Sequence, residues 1–347
     1  MNIFNSNIQR LLAFLLAVAV LSCVHNPKKE PQGHTHHKAN NSIATKSFHE
    51  KMLAEISLLP TTTLTTENMV FIKGGTFVMG GNNAQARPDE FPQHKDTAND
   101  IWVDKTEVTN AQFKKFIEAT GYITTAERSF EVEGQSYPPG ALVFDPNQPD
   151  FWWKFVEGAS WKHPYGPNSN IEGKDDHPVV QVSWYDAQAY CHWSGKRLPT
   201  EAEFEYLSRG QKTEESYPWG NDFSIATQKA NFFQGDFPNF NSMDDGYNKT
   251  AAVKSFESNG FGLYDIAGNV WEWTLDTYYP NAYQLKKKHE QDFFLTYHNP
   301  KQEKVVRGGS YLCSESYCTG YRSAARMSSS PDTSLEHTGF RTVLDPQ

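Results

Sequence analysis

Cys313 and Cys318 stand five residues apart in the segment Arg307-Gly-Gly-Ser-Tyr-Leu-Cys-Ser-Glu-Ser-Tyr-Cys-Thr-Gly-Tyr-Arg322, in a chain of 347 residues that holds only four cysteines. A thiol is the softest ligand and the strongest nucleophile among ordinary side chains. So close a pair can form a disulfide, relay electrons, or grip a soft metal such as Cu(I). Cysteine pairs of exported proteins are usually structural, so spacing alone favours the disulfide.

The N-terminus reads as an export signal. Arg10 precedes an apolar stretch from Leu11 to Ser22, too short for a comfortable membrane span, and Cys23 follows directly. The order Val20-Leu-Ser-Cys23 resembles a bacterial lipobox, in which the signal is cut before the cysteine and that cysteine is lipidated. Residues 1–23 are then a lipoprotein-type signal peptide, and the protein is a periplasmic or outer-envelope lipoprotein anchored through Cys23. Simple cleavage nearby, or a retained anchor, exports the chain as well. Residues 24–66 are polar and read as a flexible tether, whose His34-Thr-His-His37 cluster is a solvated linker before it is a metal site. With Cys23 lipidated, Cys191, Cys313 and Cys318 remain, an odd set that leaves a free thiol or cysteines kept for chemistry.

The elements that must position the pair lie in residues 67–345. Aromatic residues make up 14% of the chain, with nine Trp, 23 Gly and 19 Pro, which suggests an irregular, loop-rich domain pinned by aromatic anchors. A net charge of -9 argues against a nucleic-acid surface. Met69 to Gly80 reads as a hairpin about Gly74-Gly75. Phe113, Phe116 and Ile117 share a helical face over 111–120, capped by Thr109 or Asn110. Residues 121–180 read as long ordered loops, and His177 to Trp184 alternates like a strand. Helical spacing follows over 185–194, and a second helix restarts after Gly195, with Thr200 as N-cap and Glu203 as its capping-box partner. Composition does not shift sharply after residue 67, which favours one domain.

Seven segments in order, Glu107-Val-Thr-Asn110, His177-Pro-Val-Val-Gln-Val-Ser-Trp184, Gly195-Lys-Arg-Leu-Pro-Thr-Glu-Ala-Glu203, Tyr217-Pro-Trp-Gly220, Gly268-Asn-Val-Trp-Glu-Trp273, Arg307-Gly-Gly-Ser310 and Gly339-Phe-Arg341, together resemble the formylglycine-generating enzyme family, the sulfatase-modifying factors. The resemblance implies a single α+β domain of low regular secondary structure, related to C-type-lectin-like topology. Its superfamily also holds cysteine-less paralogues and structural lipoproteins, so fold does not settle function. Here Cys313 and Cys318 match the reactive pair of the active enzymes.

What the resemblance implies for the site is a copper clamp. Cu(I) accepts two or three sulfurs, so Cys313 and Cys318 leave a place for a substrate cysteine. The implied reaction uses O2 to convert a cysteine of an unfolded sulfatase, in a Cys-x-Pro-x-Arg-like sequence, to formylglycine. The implied roles are a hydroxyl near the oxygen pocket for Ser310, a wall of that pocket for Trp271, and orientation of substrate or oxygen for Tyr317. Relatives often pair the position of Cys191 with one occupied here by Thr342, and a second pair falls on Ser208 and Ser323. Cys191 is then a buried free thiol. Two structural Ca2+ sites are implied as loop staples: Asn231, Asp245 and the carbonyls of Phe232 and Tyr247 in one, Asp265, Glu272 and the carbonyls of Gly268 and Val270 in the other. Without the resemblance, Asp244-Asp245-Gly246 is a turn and Glu272 a surface acid. Glu107 reads as structural or at the edge of the site.

Two other readings stay open. A non-catalytic envelope lipoprotein could use the same fold as a binding or scaffold module. An iron-dependent sulfoxide synthase would need a His set, but His177 and His192 are isolated and no His-x-x-x-His pattern occurs. The expected protein is a monomer that meets the membrane only through its lipid.

Overall fold

The computed structural model describes residues 47–132, 134–148, 151–288 and 303–346. The signal peptide, Cys23 and the histidine cluster lie outside them. The chain divides into two compact units, residues 1–58 and 59–347. In the first, α1 (Phe48–Ile56) is closed by a capping box between Ser47 and Glu50. This helix departs from the tether read over residues 24–66, as does the docking of residues 59–66 within the second unit, where the Thr62 N–H donates to the Trp193 carbonyl at 2.7 Å. Among the described residues no helix is long and apolar enough to cross a membrane.

The second unit is an α+β domain of short elements. β1 (Met69–Ile72) and β2 (Gly75–Met79) do not form the expected hairpin with each other. They run end to end, β1 against β4 (Ile101–Asp104) and β2 against β3 (His94–Ala98). Gly74 explains the difference. Its N–H donates to Asp100 Oδ1 at 2.8 Å, and a Cβ there would lie 2.8 Å from Asn99 Cα, so Gly74-Gly75 is a bend pressed against the partner strand rather than a reversal.

The helices follow their start and stop signals. α2 (Asn110–Thr120) is capped by Thr109 and ends at Gly121 in the left-handed region, φ +65°. Residues 121–180 are more ordered than loops: β5 (Phe130–Val132) pairs with β6 (Gln135–Tyr137), and β7 (Gly140–Phe144) with β8 (Trp153–Glu157). The strand expected over 177–184 is absent. Val179, Val180 and Val182 are buried, but so are Gln181 and Ser183 between and beside them, so burial does not alternate. Their segment bonds by scattered N–H groups to Val108, Leu335 and Pro331, with Gln181 at φ +57°, so it threads the core as irregular backbone. α3 (Trp184–Ser194) and α4 (Glu201–Arg209) are capped by Ser183 and Thr200, the latter with Glu203 in a capping box.

The second half builds the frame of the site. β9 (Gly235–Asp236) and β10 (Phe240–Asn241) form a small antiparallel pair. β11 (Trp271–Thr277), α5 (Ala282–Lys288), β12 (Lys304–Arg307), β13 (Arg326–Ser329) and β14 (Thr338–Gly339) follow, with strands in the order β13-β12-β11-β14. β15 (Val343–Leu344) closes the first sheet beside β4. Much of the core is ionic: Arg307 pairs with Glu205 at 2.5 Å, and Arg322 with Glu90, Arg326 with Glu201 and Arg341 with Glu272 all at 2.6 Å. A buried charge persists only when paired in this way, which is why a polar, arginine-rich segment can sit inside.

Candidate active site and metal-binding loops

Residues 307–322 leave the end of β12 and fold back on themselves. Gly308 and Gly309 hold φ of +90° and +78°, which favours glycine. A Cβ on Gly309 would meet the Tyr321 nitrogen at 2.6 Å, so the two ends of the segment touch. Inside it, the Cys313 N–H donates to the Ser310 carbonyl at 2.9 Å and the Cys318 N–H to the Ser314 carbonyl at 3.1 Å. These turns bring the two Cα atoms to 5.0 Å, and Cys313 and Cys318 are joined as a disulfide. Cys313 is buried, whereas Cys318 is half-buried and lines a small cavity with Arg87, Trp271, Gly320 and Arg322.

Each residue expected at the site has a definite place. Trp271 opens β11, fully buried, and its N–H donates to the His337 carbonyl at 2.8 Å. Ser310 is buried, and its Oγ lies 3.0 Å from His337 Nδ1 while accepting the Leu312 N–H at 3.2 Å. Tyr317 stands apart from Trp271's cavity as half of an exposed aromatic wall: its ring stacks on Phe237 at 4.8 Å and meets Trp152 edge-on at 4.9 Å. Cys191 is free and buried, and burial pushes its thiol far above the usual range. Thr342 donates its hydroxyl to Asp104.

Once reduced to thiolates, the pair would fit a soft monovalent metal by its donor chemistry, two sulfurs close together with Cys318 beside open space. The first oxygen-rich set fits in part: the Gln234 amide Nε2 donates to Asp245 Oδ2 at 2.8 Å and to the Phe232 carbonyl, so two of its oxygens already have a partner. Asp245 accepts the Phe232 and Tyr247 N–H groups, both at 2.9 Å, and Asn231 Oδ1 is buried with no partner. An orphaned buried oxygen of this kind suits a hard cation such as Ca2+. The second set fits in part: Asp265 Oδ1 is likewise orphaned, but both oxygens of Glu272 already accept from Arg341, at 2.6 and 2.7 Å. Glu107 joins this cluster, bonded by Asn269 Nδ2 at 3.0 Å and fully buried. Burial, with Asp265 and Glu272 nearby, holds its carboxyl well above the ordinary range. Among the described residues no three His, Cys, Asp or Glu side chains gather as a metal centre.

His337, Arg87 and Asn269 belong to the site without having been singled out in the sequence. Ser310 and His337 are 27 residues apart, and no spacing rule links them. Asn269 at least sits within a motif segment, and its φ of +57° marks the turn that carries Trp271 into place.

A family model described as the sulfatase-modifying factor enzyme 1-like domain matches residues 56–346. The chain belongs to this family. It is 44% identical to a formylglycine-generating enzyme of Thermomonospora curvata, across 81% of the chain and 94% of that protein, and 43% identical to one of Mus musculus, across 81% and 76%. It is also 37% identical, across 80% of the chain and 87% of the relative, to a Bos taurus protein named inactive Cα-formylglycine-generating enzyme 2. PvdO from Pseudomonas aeruginosa shares the fold, with a TM-score of 0.54 at 24% identity over 79% of this chain and 93% of that one.

Proposed function

We propose that this family member is a formylglycine-generating oxidase that uses Cu(I) and O2 to convert a cysteine of an unfolded sulfatase, in a Cys-x-Pro-x-Arg-like sequence, to Cα-formylglycine. The observation that carries the reading is the asymmetry of the thiol pair, with Cys313 sealed and Cys318 facing a cavity walled by Trp271. A purely structural bond has no need of the space. Active and inactive relatives both resemble the chain, so the pair rather than the identity supports an enzyme.

Bound between the two thiolates, Cu(I) supplies the oxygen activation that no ordinary side chain provides. The chain's own residues do the rest. Opened to two thiolates by the reductant, Cys313 and Cys318 would hold the metal and leave a place for the substrate sulfur. Trp271 and the bare edge of Gly320 shape a space for O2, and the wall of Tyr317, Phe237 and Trp152 gives an extended peptide an apolar surface to lie on. The Ca2+ sets staple the supporting loops, and the protein works as an exported monomer anchored through Cys23.

The test is incubation of copper-loaded protein with such a peptide, O2 and a reductant, scored by mass and by aldehyde trapping. An aldehyde product that disappears in Cys313→Ala supports the reading; no aldehyde from the loaded protein, or no change in the variant, rules it out. The bonded state of the pair also favours a second reading, an inert disulfide in a non-catalytic envelope module. That reading requires the bond to resist mild reductant and the reduced protein to take up no copper.

A further inference from the structure

We propose that Arg87 makes the mouth of the Cys318 cavity an anion subsite, which draws a small thiol bearing a carboxylate onto Cys318 and so decides which reductant opens the Cys313–Cys318 bond. The proposal concerns the opening of the bond, and it stands or falls apart from the copper chemistry.

The two sulfurs are unequal to an incoming thiol. Cys313 is buried, whereas Cys318 is half-buried and borders the cavity, so attack falls on Cys318. Two arginines border the same cavity, Arg87 and Arg322, and they differ in what they have left to give. Arg322 is spent: its Nη1 and Nη2 donate to Glu90 at 2.7 and 2.6 Å, and its Nε to Thr319 Oγ1 at 2.8 Å. Arg87 is not. Among the described residues only one of its N–H groups has an acceptor, Nη2 on the Arg326 carbonyl. Its Nε lies 3.7 Å from Asp89 and 3.9 Å from Glu90, close enough to feel both charges and too far for a hydrogen bond. Those acids are engaged elsewhere, Glu90 by Arg322 and Asp89 by the Tyr278 hydroxyl at 2.9 Å. With 34% of its side chain exposed, Arg87 holds an open fork beside the one sulfur a thiol can reach.

A guanidinium fork matches a carboxylate in shape as well as charge. Thr319, which also lines the cavity, accepts the Arg322 Nε–H and so keeps its own hydroxyl proton to give. A thiol whose carboxylate lies a few bonds from its sulfur can then engage Arg87 and Cys318 together. The net charge of -9 repels anions at long range, so a preference for an anionic thiol must come from a local site.

The step balances as ordinary exchange. The thiolate attacks Cys318 Sγ, the Sγ–Sγ bond breaks, and its electron pair leaves on Cys313, which takes a proton from water. A second thiolate attacks the reagent sulfur of the mixed disulfide and releases Cys318. Two reagent thiols are oxidised to one disulfide, and the protein gains the two electrons.

The test needs neither copper nor a peptide. The full chain is treated with 3-mercaptopropionate, 2-mercaptoethanol or cysteamine, which are anionic, neutral and cationic, and thiols are counted by mass after acid quench and alkylation. Rates are expressed per thiolate. Arg87→Gln should slow 3-mercaptopropionate about 3- to 5-fold, the range of a partly exposed ion pair, and leave 2-mercaptoethanol unchanged. Arg87→Lys, a charge without the fork, should keep part of the effect. The neutral reagent separates charge from access, because a loosened loop changes all three rates alike. Competition in the wild-type protein needs no variant: propionate, compared with chloride at equal ionic strength, should slow 3-mercaptopropionate alone. Equal changes for the three reagents, an anionic rate indifferent to both Arg87→Gln and propionate, or a bond that none of the three opens in the folded protein would overturn the proposal. A protein that responds as expected here yet makes no aldehyde overturns the oxidase reading and leaves Arg87 its role.

Discussion

Gly320 has no room for a side chain because Trp271 stands where one would go: a Cβ there would lie 2.6 Å from the indole Cζ2 and Cη2 atoms and 2.8 Å from Cys313 Sγ. Gly320→Ala must therefore push the indole or the sulfur. Overpacking of this kind costs about 1–3 kcal/mol, which a domain of this size survives. The expected variant is folded, with a melting point a few degrees lower, but with the cavity closed and aldehyde formation lost. A folded Gly320→Ala with full activity would remove the cavity from the mechanism.

The Arg341–Glu272 pair is fully buried on both sides. Arg341→Met leaves Glu272 charged and alone in a cluster that already holds Asp265 and Glu107, so it should cost about 3–5 kcal/mol. Urea unfolding of Arg341→Met and of Arg341→Met/Glu272→Gln reads this directly. The double variant should recover much of the loss, because the unpaired charge is gone.

Lys304 is a buried amine, its Nζ 4.3 Å from the Trp184 ring centre, and burial lowers its pKa to about 8 against 10.5 in the open chain. Between those values the unfolded chain binds the extra proton, so this group makes stability rise with pH from about 8 to 10.5, by about 3 kcal/mol. Below pH 8 its full cost is present. Lys304→Met should be the more stable protein at pH 7 and should lose its advantage by pH 10.5. Chemical unfolding of both at the two pH values checks the sign.

Calcium, if held by Asn231, Asp245 and the neighbouring carbonyls, stabilises only the folded chain. At a hundredfold excess over its dissociation constant the gain is about 2.7 kcal/mol. Calorimetry should therefore show a melting point that falls on chelation and returns with Ca2+, and Asp245→Asn should abolish the response. An unchanged melting point would leave the Asn231 oxygen without its proposed partner.

Cys191 should stay silent to thiol reagents in the folded protein and react once denaturant is added, because it is sealed in α3 and its thiol is pushed far from ionising. A native titration that finds one fast thiol before any reductant would contradict its placement.

What could be read from the chain was whatever depends on near neighbours. Thr200 and Glu203, or Thr109 and the stripe of Phe113 and Phe116, specify their helices by spacing alone, and both helices stand where expected. Gly74-Gly75 misled because a glycine pair permits a reversal and a tight crossing equally, and only the partner strand decides between them. Val179 to Val182 misled because the whole run is buried, not every second residue, and its backbone pairs with no ladder. That Cys313 and Cys318 come together was legible from their spacing and motif. His337 was not, because a hydrogen bond across 27 residues of chain leaves no trace in local pattern.

The arginines at the rim of the thiol segment have a consequence for its redox life. Arg307, Arg322 and Arg326 are each locked to an acid elsewhere in the domain, Glu205, Glu90 and Glu201, so both feet of the arch are riveted from outside. The sulfur–sulfur link is then a keystone the arch can stand without. A two-electron reductant that opens the bond to two thiols, or an oxidant that restores it, therefore acts on a segment whose surroundings keep their shape.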